Sequence, residues 1–165
     1  MKLLPAILLF LVFCTGIAGA GAEQQINERL KAGGTVYLST GVYEIEGPII
    51  IGSNTILTGD PNAIIKVSSS SSQWFTGSTG IISCKESVKN VEIYGFQING
   101  NLGAFPASYA NTAGHDKDCM RCIIFHGDSG DYADNIRIHD MKLYDSFSDG
   151  MYIYYAKNGL SSKIQ

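Results

Sequence analysis

Asn54-Thr-Ile-Leu-Thr-Gly59, Asn90-Val-Glu-Ile-Tyr-Gly95 and Asn135-Ile-Arg-Ile-His-Asp140 can be laid on one another, and their likeness decides the fold. Each opens on Asn, runs through a short alternating stretch and ends on Gly or Asp. The last two stay in step past the turn, as Phe96-Gln-Ile98 and Met141-Lys-Leu143. Apolar stretches precede both, Gly80-Ile-Ile-Ser-Cys84 and Cys122-Ile-Ile-Phe125. A third such stretch, Gly150-Met-Tyr-Ile-Tyr-Tyr155, is read as having no Asn-led partner after it. Repeated short strands parted by small turn residues predict a chain that winds on itself, an all-β parallel β-helix. It is expected to break off in mid-coil.

Aligning the Asn residues sorts the side chains by the two-residue period of a strand. Val91, Ile93, Phe96 and Ile98 point inward, and Ile136, Ile138, Met141 and Leu143 stack on them one coil on. Glu92, Tyr94, Arg137 and His139 fall on the solvent side. Asn tolerates the left-handed backbone of a tight bend, and stacked Asn amides form a hydrogen-bonded ladder. Asn54, Asn90 and Asn135 are therefore read as structural.

Earlier in the chain, Glu23–Ala32 reads as a short amphipathic helix, with Ile26 and Leu30 on one face and Gly33-Gly34 ending it. Laid over the first coil, it would cover bare strand edges. Strands follow at Thr35–Leu38, Gly41–Ile45, Pro48–Ile51, Asn54–Thr58 and Ala63–Val67. Intervals of 36 (90 minus 54) and 45 (135 minus 90) residues exceed a bare coil. Insertions are expected at Ser68–Gly80 and Asn101–Arg121, and loops on a rigid repeat scaffold commonly shape its binding face.

Lys2, the apolar run Leu3–Ile17 and the small residues Ala18-Gly-Ala-Gly-Ala22 read as a secretory signal peptide over residues 1–22. The run is shorter than the roughly 20 residues of a spanning helix, so no membrane span is expected. Acidic residues outnumber basic ones by 15 to 12, and removing Lys2 leaves 11 minus 15, or −4. That balance excludes a phosphate backbone as the natural partner. A secreted or cell-surface protein is expected. Three cysteines remain outside the leader: Cys84, read as a small core residue, and Cys119 and Cys122, which can pair locally or stay reduced.

Ala32-Gly-Gly-Thr-Val-Tyr-Leu38, Gly41-Val-Tyr43, Pro48-Ile-Ile-Ile51 and Asn54-Thr-Ile-Leu-Thr-Gly59 resemble the opening of pectate-lyase-like right-handed β-helix proteins. Ile64–Ser68, Val91–Ile98 and Leu143–Gly150 resemble more narrowly the secreted disaggregatase-type proteins of methanogenic archaea. The resemblance implies a right-handed helix over residues 23–165, truncated after a few coils. It also implies action on polysaccharide, as a glycoside hydrolase or polysaccharide lyase whose main catalytic coils lie beyond Gln165. A noncatalytic carbohydrate-binding or structural surface module is the alternative, since one scaffold serves many ends. An open last coil would favour self-association.

Four residues are candidates for catalysis. Asp145 and Asp149 form the best carboxylate cluster, and Asp149-Gly150 matches a dipeptide of polygalacturonase-like enzymes; the alternative is a turn aspartate bonded to backbone. Arg137 and His139 face one way, so Arg could hold a uronate carboxylate and His act as base. Glu92 and Tyr94 should sit one coil below them, making a polar strip for sugar. Tyr109 and Trp74 are the aromatic candidates for stacking on sugar faces, with Phe105 and Tyr132 behind them. No cofactor is expected. His115, Cys119 and Cys122 lack a complete zinc set, and calcium, which favours clustered carboxylates, is the alternative to a metal-free loop at Asp116, Asp118, Asp128 and Asp131.

Overall fold

The computed structural model describes residues 11–14, 21–71, 80–84, 87–105, 120–126, 133–154 and 156–165. Every strand pairing among them is parallel, and the strands stack in three faces. The first face stacks β1 (Leu11–Cys14), β2 (Gly34–Leu38), β5 (Thr55–Gly59), β8 (Lys89–Tyr94) and the first part of β11 (Ala133–Tyr144). Beyond β11 come β13 (Ala156–Lys157) and β14 (Leu160–Ile164). The second face stacks β3 (Gly41–Ile45), β6 (Ala63–Val67), β9 (Gln97–Asn99) and the end of β11. The third stacks β4 (Ile49–Ile50), β7 (Gly80–Ser83), β10 (Arg121–His126) and β12 (Met151–Tyr154). This is the parallel β-helix read from the sequence.

Each face sends apolar columns into a shared core. Val36, Leu57, Ile93 and Ile138 stack on the first face, and Tyr43, Ile65, Ile98 and Leu143 on the second. Ile49, Ile82, Ile123 and Met151 stack on the third. Nearly all are fully buried, with Leu143 and Met151 partly so. Burying each aliphatic side chain stabilises the fold by about 1.5–3 kcal/mol relative to exposure.

The bend before the first face is left-handed at every level from β2 to β14. Gly33 (φ 73°), Asn54 (60°), Asn90 (57°), Asn135 (54°) and Asn158 (52°) occupy it in turn. Asn90 Nδ2 donates to Asn54 Oδ1 at 2.9 Å, and Asn135 Nδ2 donates to Asn90 Oδ1 at 3.0 Å, which makes the ladder. Bare coils run 21 residues (54 minus 33) and 23 residues (158 minus 135). The longer intervals therefore carry insertions, and both leave the scaffold between the second and third faces.

Asn158 corrects one expectation. An Asn-led strand does follow Tyr155: β14 pairs with β11, setting Leu160 beside Arg137 and Ile164 beside Met141. It is hidden in the sequence because its inward positions, beside Ile136 and Ile138, hold Gly159 and Ser161. Without apolar residues there, alternation gives no signal.

Helix α1 (Ala22–Lys31) buries Ile26 and Leu30 against the first coil, as expected. Asn27 ties it to the edge of β4: its Nδ2 donates to Pro48 O at 3.0 Å and its Oδ1 accepts from Ile50 N–H at 2.7 Å. The N–H of Glu46 donates to Glu23 Oε2 at 3.2 Å. One short helix thus satisfies backbone groups that the third-face edge would leave bare. The corresponding edge of the first face, β2, is paired with β1, which lies inside the expected leader.

Candidate functional site

Where the first face turns into the second, the later coils again adopt a left-handed backbone at Gly95, Asp140 and Lys163, while Leu38 holds the same register position in the first coil with an ordinary one. Gly59 and Gly95 fill this position in the middle coils, but Asp140 (φ 51°) and Lys163 (φ 50°) fill it above them. A β-carbon is strained in that conformation, so charged side chains are set here against local preference. They complete a polar strip already seeded on the outward side of β8 and β11. Register places Arg137 beside Glu92 and His139 beside Tyr94.

Glu92 Oε1 meets two nitrogen partners, Arg137 Nη1 at 3.4 Å and His139 Nε2 at 3.1 Å. On its other side His139 Nδ1 meets Asp140 Oδ2 at 2.8 Å. The imidazole also stacks on Tyr94, with ring centroids 4.8 Å apart and planes 10° from parallel. Asp140 Oδ1 in turn pairs with Lys163 Nζ at 3.2 Å. The chain of charges runs across three coils, Glu92 to His139 to Asp140 to Lys163. The hydrogen bond to Asp140 raises the pKa of His139, partial burial opposes it, and Glu92 adds to the rise. Asp140 is held below the usual carboxylate value by His139 first and then by Lys163.

A groove of about 490 Å³ adjoins this strip at the same corner, lined by Pro61, Gln97, Asp140, Lys142, Lys163 and Gln165 among others. Phe96 and Met141, both buried, give it an apolar floor. Lys142 leans over the Tyr144 ring with Nζ 4.9 Å from its centroid, a cation–π contact that directs the chain. The groove thus offers two ammonium groups and two amides over a hydrophobic base. Such a surface holds an anionic polyhydroxylated chain better than an apolar ligand.

Four sequence candidates, Glu92, Tyr94, Arg137 and His139, are brought together. A base needs a ring nitrogen whose lone pair faces the substrate, and both nitrogens of His139 are engaged by carboxylates that favour its charged form. This geometry suits binding and charge neutralisation better than proton abstraction.

Asp145 and Asp149 lie apart from the strip, in the turn between the second and third faces. Asp145 sits in the left-handed region (φ 52°) and its backbone carbonyl accepts from Leu102 N–H at 3.2 Å. Asp149 Oδ2 pairs with Arg121 Nε at 3.4 Å, and its carbonyl accepts from Ser146 Oγ at 3.0 Å. Trp74 and Tyr109 lie outside the described residues, as do Tyr132, His115, Asp116, Asp118, Cys119, Asp128 and Asp131. Phe105 packs edge-on against Phe147, with centroids 5.2 Å apart.

Cys122 is a buried free thiol, pushed up to about 11 by that burial. Among the described residues, no group of three or more His, Cys, Asp or Glu is placed to hold a metal ion, and no helix is long and apolar enough to cross a membrane. Sequence reasoning missed Asp140 and Lys163. Aligning Lys163 with Gly59, Gly95 and Asp140 would have found them, had Asn158 been recognised as the head of its strand.

Comparison with known proteins agrees with this architecture. A β-helix protein of Parabacteroides merdae, provisionally named a glycosyl hydrolase, superposes with a TM-score of 0.67 at 18% identity, over 86% of this chain and 64% of that one. The likeness is one of fold, and this chain spans just under two thirds of that protein's length. The A-module of the Azotobacter vinelandii mannuronan C-5 epimerase AlgE4 overlaps more loosely, with a TM-score of 0.49 at 17% identity, over 86% of this chain and 44% of that one. No curated protein matches at a significant level. The sequence model of the family "Rhamnogalacturonase A/epimerase, pectate lyase-like" matches residues 19–111, more than half of the chain, and the chain belongs to that pectate-lyase-like family.

Proposed function

We propose that this protein is exported and acts on polysaccharide at the cell surface, with an acidic sugar chain held along the corner between the first and second faces. The observation that carries this reading is the groove beside Lys142 and Lys163, continuous with the Glu92–Arg137–His139–Asp140 strip. Membership of a family named for rhamnogalacturonase and epimerase supports polysaccharide as the ligand class. In the finer form of the proposal, the chain is part of a disaggregatase-like glycoside hydrolase or polysaccharide lyase.

Export is part of the same proposal. Helix α1 begins at Ala22 with Gly21 as its N-cap, so cleavage after Ala20 would leave the helix whole, whereas cleavage after Ala22 would remove its first residue. The intact mass of the secreted chain tests this, and a chain that keeps Leu11–Cys14 overturns the leader assignment.

A noncatalytic binding module is the second reading, and the double engagement of His139 favours it. Affinity electrophoresis in gels containing polyuronates, with parallel assays for new reducing ends and for unsaturated products, separates the readings. Retardation that is lost on replacing Lys142 and Lys163 by Ala supports binding at this corner. Retardation unchanged in that double variant overturns it. New ends or double bonds abolished by Asp149→Asn or His139→Gln would establish catalysis by this chain. Binding without either product would establish the module.

A further inference from the structure

Apart from that corner, the third face carries aromatic rings that nothing above employs. Tyr152 and Tyr154 project from β12 two residues apart, with 36% and 41% of their surface exposed. Their rings lie 6.1 Å apart and within 18° of parallel. Arg121, at the start of β10 one coil below, brings its guanidinium carbon to 4.6 Å from the Tyr152 centroid. Its Nε pairs with Asp149 Oδ2 at 3.4 Å, and its buried Nη1 has no hydrogen-bond partner among the described residues.

We infer that Tyr152, Tyr154, Arg121 and Asp149 form a second glycan-binding surface, one that takes an uncharged sugar chain. Flat aromatic rings present apolar faces to the C–H faces of pyranoses, and their hydroxyls bond at the rim. Held side by side on one rigid strand, two such rings meet a linear saccharide at little conformational cost. The guanidinium–carboxylate pair supplies planar donors and acceptors for neighbouring hydroxyls. Asp149 cancels the charge of Arg121, so the patch offers nothing extra to a polyanion. The groove at the other corner is built the opposite way, with ammonium groups in excess. The acidic-unit surface on β11 and β14 and the neutral-unit surface on β10 and β12 therefore lie on different faces of the same scaffold.

The test is an NMR titration of the full secreted chain, reading the Tyr152 and Tyr154 ring resonances. The probes are a panel of uncharged hexasaccharides of glucose, mannose, galactose and xylose, with hexagalacturonate in parallel. At least one uncharged probe is expected to shift both rings, with little dependence on salt. Tyr152→Ala should weaken that probe about tenfold, as the loss of one aromatic contact implies. Tyr152→Phe should retain most of the affinity. Replacing Lys142 and Lys163 should leave it unchanged while altering the response to hexagalacturonate, so the two sites fail or stand separately. Rings that no uncharged probe shifts overturn the inference, as do shifts seen with hexagalacturonate alone. Self-association through these tyrosines, seen by light scattering without any sugar response, also overturns it. If Tyr152→Ala does not fold, the wild-type ring shifts and Tyr152→Phe still decide.

Discussion

Replacing Asn90 separates the two tasks that the sequence assigns to one residue type. Its amide joins the coils on either side, donating to Asn54 and accepting from Asn135, at 2.9 and 3.0 Å. Its backbone sits at φ 57°, where a β-carbon is disfavoured. Both side-chain bonds are exposed, so each contributes near the low end of the usual range, about 0.5 kcal/mol, and either substitution loses about 1 kcal/mol. Alanine adds the left-handed penalty of about 1–2 kcal/mol, partly offset by the about 0.4–1 kcal/mol it gains over glycine in the unfolded chain. Asn90→Ala should therefore be less stable than Asn90→Gly by about 0.5–1 kcal/mol, an inversion of the normal order in a strand. Lys89, the preceding residue and outside the left-handed region, provides the control: there Ala should be more stable than Gly. Urea denaturation of the four variants at constant m-value reads all of these differences. If alanine equals or exceeds glycine at position 90, left-handed strain is not what places Asn at this bend.

Three further outcomes follow from the structure. His139 should titrate above its ordinary value of about 6.5 in NMR, and Glu92→Gln should lower it; because the folded value is raised, its contribution to stability is full below the unfolded pKa and is lost as pH rises through the folded one. A His139 titrating at or below the ordinary value removes the carboxylate clamp from the account. Cys122, raised to about 11, should resist alkylation at pH 8 in the native protein and react once urea unfolds it; equal rates in both states contradict its burial. A β-carbon at Gly59 would lie 2.9 Å from both Cβ and O of Leu38, so Gly59→Ala should destabilise by about 1–3 kcal/mol in the same urea assay, and a neutral effect would mean the coils are less tightly stacked than described.

What the sequence revealed depended on whether neighbours along the chain were also neighbours in chemistry. The columns through Ile93 and Ile98 were legible because inward positions alternate regularly and recur with each Asn. The insertions were legible because they stretch the repeat. β14 was not, since Gly159 and Ser161 erase the alternation at the one level where Asn158 would have announced it. For the strip, period alone put Glu92 beneath Arg137 and Tyr94 beneath His139. It could not show that His139 would use both ring nitrogens on carboxylates, because that depends on side-chain torsions and on Asp140, a residue that looks like ordinary turn chemistry. Asp145 and Asp149 resembled a carboxylate pair by spacing, yet the turn directs one into a left-handed bend and the other onto Arg121, a partner 28 residues earlier.

The placement of charge bears on mechanism more directly than any single candidate does. In a stacked coil, a side chain meets its counterpart one level away at the spacing of neighbouring strands, about 4.8 Å, so unlike charges in register neutralise one another before any ligand arrives. Glu92 under Arg137 and His139, and Asp140 under Lys163, are such pairs. A general base at these positions would need a raised carboxylate pKa or a neutral imidazole, yet the pairing favours protonated His139 and lowers the pKa of Asp140, which makes both weaker bases. Neutralisation of this kind serves a rigid surface that must present fixed dipoles and hydrogen bonds to a polymer lying across several coils. Lys142 stands outside those pairs, directed by Tyr144 and lining the groove. It is the cation with most to gain from an acidic ligand, and on this argument removing it should weaken polyuronate retardation more than removing Lys163, whose charge Asp140 already answers. Equal losses from the two single variants would show that pairing in the free protein does not set the order.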